Sequence, residues 1–223
     1  MDTNTPVTLV YVLSTAAISI AAFGNERLLL RLLLDARAVE RGGEYWRMLS
    51  SGWVHADVFH LFVNMYSFWS FGSAIELGLG PVLLSVIYLG GILGGSILAL
   101  AVHRGENYRA LGASGGVCAV IFASVVAGGD FSIAFLFLPI PIPAKVFAFL
   151  FLAYTWFGMR RQGADGIGHD AHFAGALVGV GVIIVLDPGI IERSPIFMII
   201  LLAVCGWMLR QALAGRRRNQ GWQ

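Results

Sequence analysis

Seven segments of this chain are apolar and long enough to form helices inside a lipid bilayer. They cover about residues 7–23, 57–77, 81–102, 114–129, 143–159, 169–186 and 195–213. A helix needs about 20 apolar residues to cross the hydrocarbon core, and lipid offers no partner for an unpaired backbone N–H or C=O group. The segments are too long and too uniformly apolar for the strands of a barrel. The sequence therefore predicts an all-α, polytopic membrane protein.

Composition agrees with this fold class. The chain is 57% hydrophobic and 13% charged, whereas an average soluble domain is about 45–50% apolar and about 25% charged. We expect a single transmembrane domain over residues 1–213, followed by a short basic tail over 214–223. The net charge of +2 gives no reason to expect a nucleic-acid partner.

Two of the connecting segments have informative compositions. Residues 24–56 mix charged side chains with a leucine-rich block over 28–34, which predicts an interfacial insertion of short helices. Residues 131–142 are apolar, but prolines alternate with isoleucines over 139–143. Because proline lacks the backbone N–H that a helix interior requires, we predict an extended loop there.

A serine and a histidine mark the chemistry of the chain. Ser114 lies at the start of the fourth segment, within Gly112-Ala113-Ser114-Gly115, and His172 lies near the start of the sixth. Nucleophilic and ionisable side chains are costly at membrane depth and are usually functional there. A serine hydroxyl becomes an effective nucleophile when a general base takes its proton. Packing of the two helices through Gly115 and Gly175 would bring Ser114 to its candidate base, His172.

Acyl transfer also requires donors aimed at the developing oxyanion. Ser114 is near the first turn of its helix, where backbone N–H groups lack partners within the helix. His60 and Asn64 are four residues apart and share one helix face, and His55 precedes them near the interface. A lone serine there is usually a cap, and a lone His or Asn in a membrane helix usually makes an interhelical hydrogen bond. Together these residues indicate a catalytic site.

We do not predict an acidic third member of this site. Asp170 is two residues from His172, which places the two side chains on different faces of a helix. Asp165 and Asp187 fall in loops. The prediction is therefore a Ser–His dyad, with Asp170 as a helix cap or an interfacial charge.

The combination of motifs resembles the rhomboid intramembrane serine proteases over about residues 45–186. The matching pieces run in the family order: Trp46-Arg47, His55, His60-x-x-x-Asn64, Gly72-x-x-x-Glu76, Gly112-Ala113-Ser114-Gly115 and Ala171-His172-x-x-Gly175-x-x-x-Gly179. One position departs from the family pattern. Many members carry an aromatic residue four positions after the nucleophile, which stacks on the catalytic histidine, and this chain has Cys118.

The resemblance implies a six-helix core, here followed by a seventh helix. It implies Ser114 as nucleophile, His172 as base, and an oxyanion site formed by His60, Asn64 and the backbone N–H of Ser114. The expected reaction is cleavage of single-pass membrane proteins in or near their transmembrane segment. The expected surroundings are the lipid bilayer, without metal, cofactor or nucleic acid, and the oligomeric state stays open.

The membrane orientation has two conflicting indications. Of the 15 Lys and Arg residues, all but Lys145 and Arg193 fall on loops at one end of a seven-helix bundle. The positive-inside rule places those loops, and the mouth of the site, in the cytoplasm. The resemblance instead implies a multi-pass protein of a bacterial inner membrane whose site opens to the outer face. We leave the orientation open.

Two rival functions are also considered. The first is a catalytically inactive relative that binds or escorts membrane proteins, which loss of Ser114 or His172 would mark. The second is a transporter or metal-binding membrane protein that uses His55, His60 and His172. The chain has no His-Glu-x-x-His motif and no thiolate pair to support the second.

Overall fold

The computed structural model describes residues 4–135, 138–161 and 166–219, with side chains described except at 135, 138–139 and 215–219. The helices in this part are α1 (Pro6–Phe23), α2 (Glu26–Leu32), α3 (Ala36–Gly42), α4 (Arg47–Ser50), α5 (Val58–Leu79), α6 (Pro81–Val102), α7 (Ser114–Ala127), α8 (Ala144–Arg160), α9 (His169–Leu186), α10 (Ile190–Arg193) and α11 (Pro195–Asn219). The strands are β1 (Leu34–Asp35), β2 (Arg109–Ala110), β3 (Ser132–Phe135) and β4 (Leu138–Pro143).

The predicted all-α membrane fold is confirmed, because α1, α5 to α9 and α11 lie on the seven apolar segments. Four of these helices are each long and apolar enough to cross a membrane: Pro6–Phe23, Pro81–Val102, His169–Leu186 and Pro195–Ala214. Helix α5 is comparably long but carries several polar side chains. Helix α11 continues to Asn219, into the basic segment after residue 213.

The short helix α7 is the centre of the bundle. Its 14 residues span about 21 Å, against about 30 Å for the hydrocarbon core of a bilayer. Every residue from Gly115 to Val126 is buried, because α5, α6, α8 and α9 pack around the helix. Helix α7 is therefore enclosed by its neighbours from its second residue onward, and its first residue, Ser114, is half-buried.

Glycines allow α7 and α9 to pack with their backbones in contact. A Cβ on Gly175 would overlap the carbonyl oxygen of Gly115, and a Cβ on Gly179 would overlap that of Ala119. Helix α6 also packs closely against α7, since a Cβ on Gly91 would lie 2.8 Å from the Gly115 carbonyl oxygen. Without a strong hydrophobic force between helices in lipid, such close backbone contact is a main source of attraction.

The predicted insertion of short helices is present over the residues between α1 and α5. It contains α2, α3 and α4, followed by a 3₁₀ turn at Ser51–Trp53. Strand β1 of the insertion pairs antiparallel with β2, which belongs to the α6–α7 connection. The insertion and the entry to α7 therefore lie at the same end of the bundle.

The prediction of an extended loop over residues 131–142 needs a correction, because β3 and β4 form an antiparallel hairpin there. Alternate residues of a strand point their N–H groups to opposite edges. Prolines at alternate positions can therefore all face the unpaired edge, and the isoleucines between them remain able to donate. The alternation that excludes a helix is compatible with an edge strand.

Candidate active site

A cavity of about 1610 Å³ lies among α5, α6, α7, α8 and α9. Its lining includes Ser114, His172, His60, Asn64, Ser67 and Cys118. The four residues predicted to carry catalysis therefore face one space, although they come from three helices. Polar groups at membrane depth are tolerated where they line such a cavity.

Ser114 is half-buried at the first position of α7. The N–H groups of the first turn of a helix have no partners within it, and the helix dipole is positive at that end. The adjacent Gly115 is buried, and a Cβ there would lie 2.9 Å from the Gly91 carbonyl oxygen, so its lack of a side chain serves helix packing. Ser114 thus combines a hydroxyl with backbone donors at the cavity wall.

A tight turn at Gly112 leads into α7. Gly112 has φ of +116°, which L-residues with a side chain rarely adopt, and its N–H donates to the Ser51 carbonyl at 2.9 Å. A Cβ at this position would lie 2.8 Å from Cε1 of His60. The turn therefore requires glycine for its backbone angle and for its contact with the His60 ring.

His55 anchors the residue that precedes the serine. The N–H of Ala113 donates to Nε2 of His55 at 3.3 Å, and Nδ1 of His55 lies 2.9 Å from Ser19 Oγ. Because Nε2 accepts, Nδ1 carries the proton and donates to Ser19, whose hydroxyl donates to the Trp53 carbonyl. Burial lowers the pKa of His55 to about 3, and the nearby His60 adds to this effect. We therefore assign His55 as a neutral anchor for the loop.

His60 and Asn64 lie beside this turn on α5. The His60 ring packs edge-on against His55, with centroids 4.9 Å apart. Asn64 is buried, and its Nδ2 donates to the carbonyl of His60 at 3.0 Å. The second amide hydrogen of Asn64 is the one available to a ligand in the cavity.

Aromatic rings from α8 and α9 surround His172. The ring of Phe151 on α8 lies 6.1 Å from the His172 ring at 36°, and the buried His169 ring lies 6.0 Å away at 74°. Cys118 is buried one helical turn after Ser114. An aromatic neighbour of His172 thus comes from α8, while α7 presents a small thiol. No local sequence pattern indicates the contact between Phe151 and His172.

Asp170 pairs with a histidine that the motif analysis did not identify. Its Oδ2 lies 2.8 Å from Nε2 of His103, which caps the C-terminus of α6. Glu106 lies 2.8 Å from Nδ1 of the same ring. Burial disfavours the charge on His103, but these two carboxylates outweigh it and raise the pKa of His103 above its usual value. Asp170, which was predicted as a helix cap or an interfacial charge, therefore forms one half of an ion pair between the ends of α6 and α9.

The Trp46-Arg47 pair organises the insertion. Nη1 of Arg47 donates to the carbonyls of Leu30, Arg31 and Leu33 at 2.8, 2.7 and 3.0 Å. These carbonyls belong to the end of α2, where partners within the helix are missing. The guanidinium also lies 4.8 Å from the Trp46 ring centroid. Trp46 and Arg47 therefore have a structural role in the insertion.

Glu76 caps a helix across the bundle. Its carboxylate accepts from the N–H of Val7 at 2.9 Å, and from both the N–H and the hydroxyl of Thr8 at 2.7 Å. These are first-turn donors of α1, where an anion is favourable. A Cβ on Gly72 would lie 3.5 Å from the Thr8 side chain. Gly72 and Glu76 therefore hold α1 against α5.

In the described ranges, no group of three or more His, Cys, Asp or Glu side chains is placed to hold a metal ion. His55 accepts from the Ala113 N–H and contacts Ser19, His60 packs against the His55 ring, and His172 lies beside Phe151 and His169.

Comparison with known proteins assigns the family. A sequence model of the rhomboid domain matches residues 42–188. RHOMBOID-like protein 6 of Arabidopsis thaliana, a mitochondrial protein, is 34% identical over 94 residues, covering 42% of this chain and 31% of the relative. Inactive RHOMBOID-like protein 8 of the same plant is 40% identical over 72 residues, covering 32% and 20%. Rhomboid protease GluP of Bacillus subtilis is 35% identical over 75 residues, covering 34% and 14%.

The matched segments cover less than a third of each of these relatives. The domain match, by contrast, includes every motif from Trp46 to Gly179 and all helices from α4 to α9. This chain is therefore a multi-pass membrane protein that belongs to the rhomboid family.

Proposed function

We propose that the protein is a serine endopeptidase that cleaves single-pass membrane proteins in or near their transmembrane segment. The observation that carries this proposal is the placement of Ser114. It begins a buried helix that packs against the helix of His172 through Gly115 and Gly175, and both residues line one cavity together with His60, Asn64 and Ser67. A serine that merely caps a helix does not require a cavity shared with a histidine from another helix.

The reaction follows from these groups. Ser114 Oγ attacks the carbonyl carbon of the scissile peptide, and His172 accepts the hydroxyl proton as the new C–O bond forms. His172 then gives that proton to the leaving amine as the C–N bond breaks. A water molecule, activated by the same histidine, hydrolyses the resulting ester and restores Ser114. Atoms and protons balance without a metal or a cofactor.

Stabilisation of the tetrahedral intermediate comes from fixed donors. The first-turn N–H groups of α7 point toward the oxyanion, and His60 and Asn64 add side-chain donors from α5. The turn at Gly112 and the His55 anchor hold these donors before the substrate arrives. Removal of one such donor typically costs about 10²–10³ in rate.

An inactive protein that binds or escorts membrane proteins is the alternative. The relative named inactive is 40% identical over its matched segment, so overall similarity does not separate the two functions. The presence of Ser114 and His172 on adjacent walls of one cavity supports the protease. The same residues in an escort protein would tolerate replacement.

We place the protein in the inner membrane of a bacterium. The support is the Bacillus subtilis relative, which is bacterial, while some of the plant relatives are mitochondrial. Fractionation of the source cells, with the protein detected by antibody, tests this location.

The test of function is cleavage of a single-pass substrate by the purified protein in liposomes. Wild type, Ser114→Ala and His172→Ala are compared with the matched control Ser124→Ala. Ser124 is buried on the same helix and donates to the Val120 carbonyl at 2.9 Å, away from the cavity. We expect cleavage by wild type and the control and none by the other two. Cleavage by Ser114→Ala, or none by a folded wild type, would reject the proposal.

A further inference from the structure

The facing ends of α6 and α9 are joined through the His103 ring. Nε2 lies 2.8 Å from Asp170 Oδ2, and Nδ1 lies 2.8 Å from Glu106 Oε2. A neutral imidazole has one N–H, so it can donate to only one of two carboxylates, and its other nitrogen would face an acceptor. The geometry of this cluster is therefore that of an imidazolium between two carboxylates.

The surroundings of the cluster favour a strong ion pair between His103 and Asp170. The side chains of His103 and Asp170 are only 18% and 11% exposed. The Tyr108 ring stacks on the imidazole at 4.1 Å, with an interplanar angle of 4°. His103 sits at the negative end of the α6 dipole, and Asp170 sits in the first turn of α9, at the positive end. Each charge is placed where its own helix favours it.

The ion pair lies in the turn of α9 that also carries His172. Asp170 is two residues before His172, and the intervening Ala171 packs against α6. A Cβ on Gly95 of α6 would lie only 3.1 Å from the Ala171 Cβ. The first turn of α9 is thus fixed to α6 by one polar and one close-packed contact. A shift of this turn would displace the His172 ring from Ser114.

We propose that His103 is a positioning residue, which through Asp170 holds His172 at Ser114 only while His103 is protonated. This inference rests on the proposed protease function. His103 itself lies at the C-terminus of α6 and takes no part in the proton transfer.

The pH dependence follows from the groups that face His103, which are Asp170 on α9 and Glu106 and Tyr108 on the α6–α7 connection. Burial raises the pKa of Tyr108, which therefore stays neutral. The carboxylates raise the pKa of His103 above the ordinary value of 6.5. The ion pair between His103 and Asp170 is therefore complete below pH 6.5 and is lost as the pH rises through the raised pKa of His103. Activity should fall on the alkaline side for this reason.

The test compares wild type with His103→Gln, His103→Arg and Glu106→Gln in liposomes between about pH 6 and pH 9. Asp130→Asn is the control, because it breaks an ion pair with Lys145 at the opposite end of the bundle. Two quantities are measured for each protein. One is the pH profile of kcat and KM for a single-pass substrate, and the other is hydrogen exchange at the backbone amides of residues 168–174.

For His103→Gln we expect kcat to fall about 10- to 100-fold at pH 6, with KM changed less than about twofold, because a small displacement of the base affects chemistry more than binding. Exchange at residues 168–174 should become faster. His103→Arg should keep the wild-type kcat and lose the alkaline decline. Glu106→Gln, on a half-exposed side chain, should keep kcat at pH 6 and move the decline to lower pH.

Three results would overturn the inference. One is an unchanged kcat and pH profile in His103→Gln. Another is faster exchange with unchanged kcat, which would make the pair a helix contact without influence on the base. The third is an unmoved alkaline decline in both His103→Arg and Glu106→Gln. Failure of the protease function is distinguishable, because wild type and the Asp130→Asn control would then both fail to cleave.

Discussion

At Gly112 a single hydrogen atom in place of a side chain permits both the turn and the His60 contact. We expect Gly112→Ala to lower kcat/KM at least about 100-fold, because the Cβ would displace His60 and the entry to α7 by a large fraction of an ångström. Cleavage of a single-pass substrate measures this effect. Gly129→Ala is the matched control, since Gly129 also has a positive φ, and no described residue lies within 4 Å of its Cβ position. Equal losses in the two variants would assign the effect to backbone strain alone.

His55 makes the stability of the fold depend on pH. Its folded pKa of about 3 lies below the ordinary value of 6.5, so the unfolded chain binds a proton first as the pH falls. Stability should therefore decrease as the pH drops below about 6.5, toward 3. The His55→Gln variant lacks this proton uptake and should show a weaker decrease. Unfolding in detergent at several pH values measures both slopes, and equal slopes would contradict the neutral anchor.

Residues that belong to motifs of fixed spacing can be identified from the sequence as candidates for the site. Ser114, His172, His60 and Asn64 each belong to a short motif that places them on a helix face or at a helix start. His103 and Phe151 were not predicted as neighbours of the site, because their contacts join residues far apart in the chain. His103 is 67 residues from Asp170. Only the packing of α6, α8 and α9 brings such partners together.

At the scale of helices, Gly175 sets the distance between α7 and α9. We expect Gly175→Ala to lower the rate of cleavage at least about 100-fold, because its Cβ overlaps the Gly115 carbonyl and must separate the two helices. The control is Gly181→Ala on the same helix, where no neighbouring element in the described part of the chain lies within 4 Å of the added Cβ. Substrate cleavage and thermal unfolding are measured together. Normal cleavage by Gly175→Ala would show that the close packing is not required.

The link between α1 and α5 predicts a change in stability without a change in chemistry. Glu76→Gln weakens three hydrogen bonds to the start of α1 and should lower the free energy of unfolding by about 1–3 kcal/mol. The rate of cleavage per folded molecule should stay the same. Glu40→Gln is the control, because among the described residues this exposed carboxylate accepts only from Gly105, at 3.3 Å or more. A large loss of kcat in folded Glu76→Gln would indicate a direct role in the site.

Helices were predicted well, because an apolar run of suitable length in lipid has few alternatives. The hairpin β3–β4 was missed, since alternating prolines exclude a helix without stating which extended structure replaces it. The short insertion helices were expected as a group from the mixture of leucines and charges. Their ends depend on Arg47, whose contacts with α2 span 14 to 17 residues.

The fold as a whole encloses polar side chains inside an apolar helical bundle. Helix α7 is too short to cross the bilayer, so the loop before it descends into the bundle and delivers Ser114 to the cavity. The longer helices around it supply the lipid-facing surface. The pairing of β1 with β2 places the insertion and this loop at one end, which is also the end of the basic loops. Family membership follows from the sequence, while the arrangement of the cavity follows from the fold.

The proposed protease function requires Ser114 to be a nucleophile that His172 activates. The most direct measurement is covalent labelling of the folded protein by a fluorophosphonate, with the modified residue identified by mass spectrometry in wild type, His172→Ala and Ser124→Ala. We expect a label on Ser114 in wild type and in Ser124→Ala, and its loss in His172→Ala. No label on Ser114 in folded wild type, or equal labelling without His172, would contradict it.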